Sequence, residues 1–248
     1  MEIIFGPERG PVDPQDLPQH YPWPETPGRA YVRAMMVATL DGAAAGGDGL
    51  SGSISGDADG EVFTAVRRFA DVVLVGGGTL AAEEYGPLHS TDADVTIREA
   101  AGQLPAPVIA TVSGSLKLPL GEDGFTGSTQ RPLVFTTASP DPERLAAVSE
   151  RCEVVHAEGD TVEIGWVVDQ LVGRGLRRVV CEGGPSLLRA AADAGLVDEA
   201  DLTFSPMLVG TAGTPQTDVL GDPRRFALRQ VIAADDFLMA RYVREDAS

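Results

Sequence analysis

Short apolar runs alternate with amphipathic segments along most of the chain, and this alternation predicts an α/β fold. Apolar runs of strand length occupy residues 30–40, 72–75, 108–112, 133–136, 153–155, 178–181 and 199–204, and segments of helical period occupy residues 58–69, 164–174 and 186–194. Strands that alternate with helices favour a mainly parallel sheet covered by helices on both faces. Residues 226–233 and 238–243 are a predicted antiparallel pair, which makes the sheet mixed.

The first 29 residues differ from the rest because they are rich in proline and polar residues. We therefore divide the chain into a Pro-rich arm, residues 1–29, and one domain, residues 30–248. The aromatic residues of the YPWP segment, Tyr21 and Trp23, leave two alternatives open. Either they dock the arm on the domain, or the arm is a loose tail.

Composition narrows the classes of partner. The formal net charge of −18 over 248 residues makes nucleic acid and anionic membranes poor partners. The longest apolar runs are of strand length and no signal segment opens the chain, so we expect a cytoplasmic protein. Lys117 is the only lysine. A site for a phosphate compound would therefore have to be built mainly from arginine, whose planar guanidinium binds phosphate oxygens in pairs.

The thiols and histidines do not predict a metal site. Cys152 and Cys181 are far apart and each lies in an apolar run, which favours two isolated buried thiols. The segment from His156 to Glu158 resembles half of the zinc site of nucleotide deaminases, which also needs a P-C-x-x-C segment downstream. That segment is missing, so we predict no metal.

The sequence strand–glycine turn–helix occurs twice, in VLVGGGTLAA and in VVCEGGPSLL. Free N–H groups and the positive end of the dipole make a helix N-terminus a binding site for phosphate. The first turn also fits the dinucleotide pattern G-x-G-x-x-A. However, a strand and a helix precede it and no acidic residue ends the next strand, so we do not assign a Rossmann fold. Thr111 and Ser113, which replace that acid, favour NADPH over NADH.

Charged residues stand at the ends of two predicted strands. Asp41 follows the strand of residues 30–40, where it could donate or relay a proton if burial raises its pKa, or could simply form an Asp-Gly turn. Glu182 follows the strand of residues 178–181 and could accept hydrogen bonds from the N–H groups of a heterocycle. Arg67 lies near a predicted helix C-terminus, where the helix dipole favours a cation. Its position alone therefore does not indicate a ligand.

Four ordered segments carry a resemblance to a known family: TLDGAAA, SGSIS, VRRFADVVLVGGGTLAAEEYGPL and CEGGPSLLRAAADAGLVDEADLTFSPMLVG. From about residue 33 to about residue 242 the chain resembles the reductase half of the bacterial riboflavin-biosynthesis deaminase–reductase, and most of all its stand-alone actinobacterial pyrimidine-reductase-like group. The resemblance implies a dihydrofolate reductase-like fold, a homodimer and NADPH as cofactor. It also implies reduction of the ribosyl group of a ribosylaminopyrimidine phosphate, such as 5-amino-6-(5-phosphoribosylamino)uracil, to a ribityl chain.

The resemblance also implies a set of site residues. The catalytic residues would be Asp41 and Glu182, and the substrate-binding residues Ser51, Arg67, Leu88 and again Glu182. The cofactor-binding residues would be Ser53, Gly76, Gly78, Thr79, Glu83, Ser113, Gly183, Gly184, Pro185, Ser186 and Leu187.

Two departures from the family pattern keep alternatives open. Ser53 stands where many members have a tryptophan beside the cofactor. Many members also have an arginine shortly after the position of Leu88, whereas here none occurs before Arg98. Besides the pyrimidine reductase, the sequence is therefore compatible with a reductase of a pteridine such as dihydrofolate. It is also compatible with a nucleotide-binding protein that has no catalytic activity.

Overall fold

The computed structural model describes residues 1–210 and 223–245, which form one mixed sheet with helices on both faces. The strands are β1 Glu2–Phe5, β2 Gly10–Pro11, β3 Tyr31–Thr39, β4 Val72–Gly76, β5 Val108–Val112, β6 Leu133–Thr136, β7 Glu153–His156, β8 Arg178–Cys181, β9 Val197–Ser205, β10 Phe226–Ala234 and β11 Phe237–Arg244. The helices are α1 Asp57–Arg67, α2 Gly77–Ala82, α3 Asp92–Ala100, α4 Asp123–Thr126, α5 Pro142–Arg151, α6 Ile164–Gly173 and α7 Pro185–Asp193, with a 3-10 helix at Pro14–His20.

The 11-stranded sheet has the order β2-β1-β10-β11-β9-β3-β8-β4-β5-β6-β7. The strands from β9 to β7 in this order run parallel, while β11, β10 and β1 continue the sheet in antiparallel pairs. The predicted mixed, mainly parallel sheet flanked by helices is therefore confirmed, including the closing antiparallel pair. Because parallel strands share one carboxyl edge, β3, β4, β5 and β8 all end at the edge where an α/β sheet binds ligands.

Aliphatic side chains fill both faces of the parallel part of the sheet. Leu74, Ala110 and Phe135 pack with α6 and α7 on one face, and Val75 and Ile109 pack with α2 and α5 on the other. Strands that are apolar on both sides are typical of a parallel sheet between helix layers. The two cysteines are free and buried, as predicted, and burial raises the pKa of each thiol to about 11.

The sequence analysis missed α3, α4 and α5. Both α3 and α5 are short and contain few apolar side chains among many charged ones, so no apolar run marks them in the sequence. Their N-terminal signals were nevertheless present. Thr91 accepts a hydrogen bond from the backbone of Asp94, and Asp141 accepts one from the backbone of Arg144. Capping residues of this type mark a helix start when the hydrophobic pattern does not.

The arm docks on the domain. β1 pairs with β10 in the sheet, so the sheet extends across the predicted boundary between residues 29 and 30. Leu17 and Tyr21 are buried in a core shared with α1, β3 and β11. The Trp23 ring lies over the Arg33 guanidinium at 4.1 Å. Of the two alternatives for the YPWP segment, the docked one therefore describes the structure, because a buried guanidinium gains from aromatic faces.

A buried charge cluster lies beneath the docked arm. The Arg33 guanidinium approaches Glu199 at 2.6 Å and Asp201 at 3.5 Å, and Arg241 forms a two-pronged ion pair with Glu199. Tyr31 donates its hydroxyl proton to Glu199 at 2.7 Å. Both carboxyl oxygens of Asp201 are buried and accept no hydrogen bond from a residue that the structure describes. Burial, together with the negative charge of Glu199, raises the pKa of Asp201 well above its ordinary value.

The raised pKa of Asp201 predicts a pH-dependent difference between wild type and Asp201→Asn. A carboxyl group whose pKa is raised by folding stabilises the folded state. Its contribution to the free energy of unfolding is fully present below the unfolded pKa of about 3.9, and it is lost as the pH rises through the folded pKa. Urea unfolding should therefore show that the free energy of unfolding of Asp201→Asn, relative to that of wild type, is higher at pH 8 than at pH 4. Asp160→Asn, at an exposed position, should show a constant difference. A pH-independent difference for Asp201→Asn would contradict a protonated Asp201.

Candidate active site

The two glycine turns lie side by side at the carboxyl edge of the sheet, because β4 and β8 are neighbours. The backbone N–H of Gly76 donates to the carbonyl of Gly183 at 2.6 Å, and the N–H of Gly184 donates to the Thr79 hydroxyl at 2.8 Å. α2 and α7 begin immediately after these turns, and neither has a side-chain cap. The first N–H groups of both helices are therefore not taken by a capping side chain.

Most of the predicted cofactor residues are brought together here. Gly76, Gly78 and Thr79 belong to the first turn, and Gly183 and Gly184 to the second. A Cβ atom on Gly78 would meet nothing within 4 Å, so the backbone at this point is open to a ligand. Three further predicted residues form the first turn of α7: Pro185 and Ser186, which are exposed, and Leu187, which is not. The side chain of Leu187 packs in the core, so only its backbone can face a ligand.

The two predicted cofactor serines, unlike the glycine turns, form hydrogen bonds within their own segments. Ser113 is only 7% exposed, and its hydroxyl accepts the backbone N–H of Leu116 at 3.1 Å. The Ser53 hydroxyl bonds inside its own loop, to the Asp48 carboxylate at 2.8 Å and to the carbonyl of Leu50 at 3.0 Å. Both hydroxyls therefore form hydrogen bonds within their own segments; Ser113 is buried, whereas Ser53 is exposed.

Glu83 joins the glycine turn to the loop of residues 40–56. Its carboxylate accepts the backbone N–H of Ser51 at 2.7 Å. This contact places a predicted cofactor residue against a predicted substrate residue. In this structure Glu83 therefore positions the loop, a role that the sequence analysis did not assign to it.

An ion pair between Arg67 and Glu182 forms the charged centre of the site. Nε and Nη2 of Arg67 donate to the two carboxylate oxygens of Glu182 at 2.5 and 2.6 Å. The Phe63 ring lies 4.5 Å and the Tyr85 ring 5.7 Å from the Arg67 guanidinium carbon. Burial tends to lower the pKa of Arg67, but the charge of Glu182 and its hydrogen bonds prevail, and the net shift is upward. Burial raises the pKa of Tyr85, and the Glu182 charge adds to that effect.

Asp41 is an ionised carboxylate in this site. It accepts the Thr39 hydroxyl at 2.5 Å and the backbone N–H of Gly210 at 2.6 Å. These hydrogen bonds lower the pKa of Asp41 below its ordinary value. The raised pKa on which its predicted role as proton donor depended is therefore not present, because the carboxylate is hydrogen-bonded and not buried. An orienting role is compatible with this geometry.

The segment after the first glycine turn is structural. Leu88 is 8% exposed and packs in the core beneath α2 and α5, so its side chain does not line an open site as predicted. The Arg98 side chain is buried and donates to the carbonyls of Arg68, Ala70 and Leu104. Arg98 therefore does not supply the arginine that this segment lacks. Tyr85 and Phe63, which contact the ion pair, were missed, although the YGPL segment was noted.

The comparisons with known proteins identify the family. Residues 30–236 match the RibD C-terminal domain family. The chain belongs to this family. A relative from Methanothermobacter thermautotrophicus, named 2,5-diamino-6-ribosylamino-4(3H)-pyrimidinone 5′-phosphate reductase, is 32% identical over 188 residues, which cover 73% of this chain and 80% of the relative. A relative of the same name from Archaeoglobus fulgidus is 26% identical and covers 75% of this chain and 85% of the relative.

Further comparisons show how far the likeness in sequence and in fold extends. The match to the riboflavin biosynthesis protein RibD of Bacillus amyloliquefaciens is 28% identical and spans 48% of that protein. A pyrimidine reductase-like protein from Corynebacterium diphtheriae superimposes with a TM-score of 0.76 at 25% identity, over 87% of this chain and 92% of that chain. The riboflavin biosynthesis reductase Rib7 of Saccharomyces cerevisiae shares the fold with a TM-score of 0.60 at 15% identity, over 93% of this chain and 96% of that chain.

The described residues contain neither a cluster that could bind a metal ion nor a helix that could cross a membrane. Within residues 1–210 and 223–245, no three or more His, Cys, Asp or Glu side chains are placed to hold a metal ion. In the same part of the chain, no helix has the length and apolar character that crossing a membrane requires.

Two adjacent glycines in the first turn provide a matched test of its packing. A Cβ atom on Gly77 would lie 2.8 Å from Cβ and Oγ of Ser113, whereas one on Gly78 would meet nothing within 4 Å. Urea unfolding without ligand should show that Gly77→Ala lowers the free energy of unfolding by roughly 1–3 kcal/mol, as overpacking does. Gly78→Ala should be neutral or stabilising by up to about 1 kcal/mol. Equal losses in the two variants would contradict the packing of the turn on Ser113.

Proposed function

We propose that this protein is an NADPH-dependent reductase that converts the ribosyl group of a ribosylaminopyrimidine phosphate into a ribityl chain. The observation that carries the proposal is the pair of adjacent glycine turns, with Thr79 bonded across them and the Arg67–Glu182 ion pair in the same site. The two archaeal relatives, named as reductases of such a compound, favour this substrate over a pteridine. Retained Asp41 and Glu182 weigh against a protein that only binds nucleotides.

The glycine turns fit the pyrophosphate of a dinucleotide. The uncapped start of α7 supplies backbone N–H groups and the positive end of a nine-residue helix. A Cβ atom on Gly78 would meet no described atom within 4 Å, so an anion can also approach the backbone of the first glycine turn at this residue. We assign Gly76, Gly78, Thr79 and the first turn of α7 to this contact.

The charges beyond the end of β5 support NADPH over NADH as the cofactor. Thr111 is fully buried and Ser113 nearly so, so the two hydroxyls suggested by the sequence are covered. Close to them, Lys117 is exposed, and Arg144 donates to the carbonyl of Ser115 at 3.1 Å. In a chain of net charge −18, two cations at the end of the strand favour the 2′-phosphate of NADPH.

The ion pair provides recognition of both ends of the substrate. An ionised carboxylate has about four acceptor positions, and Arg67 takes two of those on Glu182. The Glu182 side chain is only 1% exposed, so its remaining positions can accept N–H groups of the pyrimidine ring once the side chains that cover it move aside. Nη1 of Arg67 makes no hydrogen bond to a described residue, and the side chain is 27% exposed, so it can reach the substrate phosphate. Ser51, held by Glu83, would contact the same substrate.

The protein's own contribution to the reaction is positioning and electrostatics. Bound NADPH would supply the hydride that the sugar carbon C1′ accepts. Glu182 and Arg67 hold the pyrimidine and the phosphate so that this carbon has one position. Asp41, ionised and fixed by Thr39, would orient the sugar hydroxyls or a water that brings the proton.

Two wider properties belong to the same proposal. We expect a homodimer, in keeping with the resemblance to the family; the exposed apolar side chains of Leu40, Met207 and Leu208 near the carboxyl edge are compatible with an interface. We also expect the protein to act in the cytoplasm, on a small-molecule substrate.

A turnover assay tests the proposal. Purified protein with NADPH and either 5-amino-6-(5-phosphoribosylamino)uracil or 2,5-diamino-6-ribosylamino-4(3H)-pyrimidinone 5′-phosphate should oxidise NADPH and yield a product with two more hydrogens by mass spectrometry. Glu182→Gln should lower kcat/KM by about 30- to 150-fold, since the loss of hydrogen bonds to a charged group costs roughly 2–3 kcal/mol. Glu84→Gln, at an exposed neighbouring position, is the matched control. Turnover of dihydrofolate alone would contradict the proposal.

The lowered pKa of Asp41 predicts a flat pH dependence for its variant. The ordinary pKa of an aspartate is about 3.9, and that of Asp41 is lower still, so its carboxylate is ionised throughout the working range. The ratio of kcat between Asp41→Asn and wild type should therefore stay constant between about pH 5.5 and pH 8.5. A ratio that changes through a titration in that range would show that Asp41 exchanges a proton during turnover.

A further inference from the structure

The loop of residues 40–56 holds Ser51 by its backbone from two directions. On one side, the N–H of Ser51 donates to the Glu83 carboxylate at 2.7 Å. On the other side, the carbonyl of Ser51 accepts the N–H groups of Ile54 at 3.1 Å and Ser55 at 3.2 Å. The position of Ser51 therefore depends on where Ser55 is held, as well as on Glu83.

Ser55 is held by a buried carboxylate, Asp59, which also reaches the sheet. The Ser55 hydroxyl donates to one Asp59 oxygen at 2.6 Å, and the Thr203 hydroxyl of β9 donates to the other at 2.6 Å. Asp59 is 5% exposed and Thr203 is 3% exposed. Hydrogen bonds from hydroxyls to a carboxylate at this distance are among the strong ones. Asp59 therefore connects the loop, α1 and β9 in one chain of contacts.

This arrangement differs from an ordinary helix cap. Asp59 is the third residue of α1, where an acidic side chain commonly folds back to the backbone of the capping residue. Here the capping residue is Gly56 and no side chain caps the helix, while Asp59 bonds to Ser55 and Thr203 instead. A buried carboxylate is costly without partners, and both oxygens of Asp59 have a hydroxyl donor. The contact joins two elements and does not serve the helix end alone.

We propose that Asp59 is a positioning residue that fixes Ser51 for the substrate by bridging the loop to β9 through Ser55 and Thr203. This inference rests on the proposed function, because it assigns Ser51 to the substrate side of the site. Asp59 acts through Ser55 and the Ser51 carbonyl, and it touches neither of the two glycine turns. Loss of the bridge should therefore weaken binding of the pyrimidine and leave the affinity for NADPH unchanged.

Single-hydroxyl variants test the bridge without removing the buried charge. Thr203→Val keeps the shape of the side chain and removes one donor, and Ser55→Ala removes the other. We expect each to raise KM for the pyrimidine substrate about 5- to 30-fold, with the Kd for NADPH within twofold of wild type. Asp57→Asn, at an exposed position on the same helix, is the matched control and should change neither value. Unchanged KM, or an equal loss of NADPH affinity, would overturn the proposal.

Combining the two variants separates a bridge from two unrelated contributions. If both hydroxyls act through Asp59, breaking either contact breaks the connection, so the double variant Ser55→Ala/Thr203→Val should be no worse than the poorer single variant. Additive effects on KM would overturn the proposal, because independent sites add their free energies. Asp59→Asn, which keeps one acceptor oxygen, should give a smaller increase in KM than Asp59→Ala.

Amide hydrogen exchange keeps this inference separate from the proposed function. In the absence of any substrate, Thr203→Val should speed exchange at the N–H groups of Ile54 and Ser55 relative to Asp57→Asn, because both donate to Ser51. If wild type does not turn over the pyrimidine, the proposed function fails and the exchange result alone decides the bridge. Unchanged exchange in Thr203→Val would then overturn it.

Discussion

The pairing of β4 with β8 is the constraint on which the rest of the site depends. It places Gly76 against Gly183 and brings Glu182 and α7 to the edge where α2 begins. A Cβ atom at Gly184 would collide with the Thr79 hydroxyl, so the close approach of the two turns depends on a glycine at this position. Two stretches of sequence more than one hundred residues apart therefore form one continuous surface, to which we assign the pyrophosphate of the proposed cofactor.

Ion pairs organise the arginines of the site and of the cluster beneath the arm, in a protein with nearly twice as many acidic as basic residues. Two guanidinium groups, one in the site and one beneath the arm, are each matched by a carboxylate and faced by aromatic rings: Arg67 by Glu182, Phe63 and Tyr85, and Arg33 by Glu199 and Trp23. Buried pairs of this kind are strongly destabilised when one partner is removed. They therefore specify where loops and the N-terminal arm lie against the sheet.

Much of the fold could be predicted from local pattern, because parallel strands are apolar on both faces and begin and end at glycine turns. The closing antiparallel pair and the two strand–glycine turn–helix units were recognised in this way. The pairing of β1 with β10 could not be, since it joins residues more than two hundred positions apart and the apolar run of the arm, residues 3–5, is too short to show a strand period. The helices α3 and α5 were missed because their signal lies in their caps.

The site residues likewise divide into those that local sequence could predict and those that it could not. Residue types at strand ends predicted Asp41, Glu182 and the glycines, because topology alone brings them to one edge. The lowered pKa of Asp41 depends first on the hydroxyl of Thr39, which is local, and then on the backbone N–H of Gly210, which is distant in sequence. The burial of Leu88 depends on α2 and α5, so it could not be predicted locally either. The Asp59 bridge likewise requires β9 to lie beside α1, which no spacing in the sequence reveals.

The measurement that tests the central claim most directly is a crystal structure of the protein with NADPH bound. Our account predicts the pyrophosphate within hydrogen-bond distance of the backbone N–H groups at the start of α7 and beside Gly78, with the nicotinamide directed toward the Arg67–Glu182 pair. A dinucleotide bound elsewhere on the molecule, with both glycine turns facing only solvent, would contradict it.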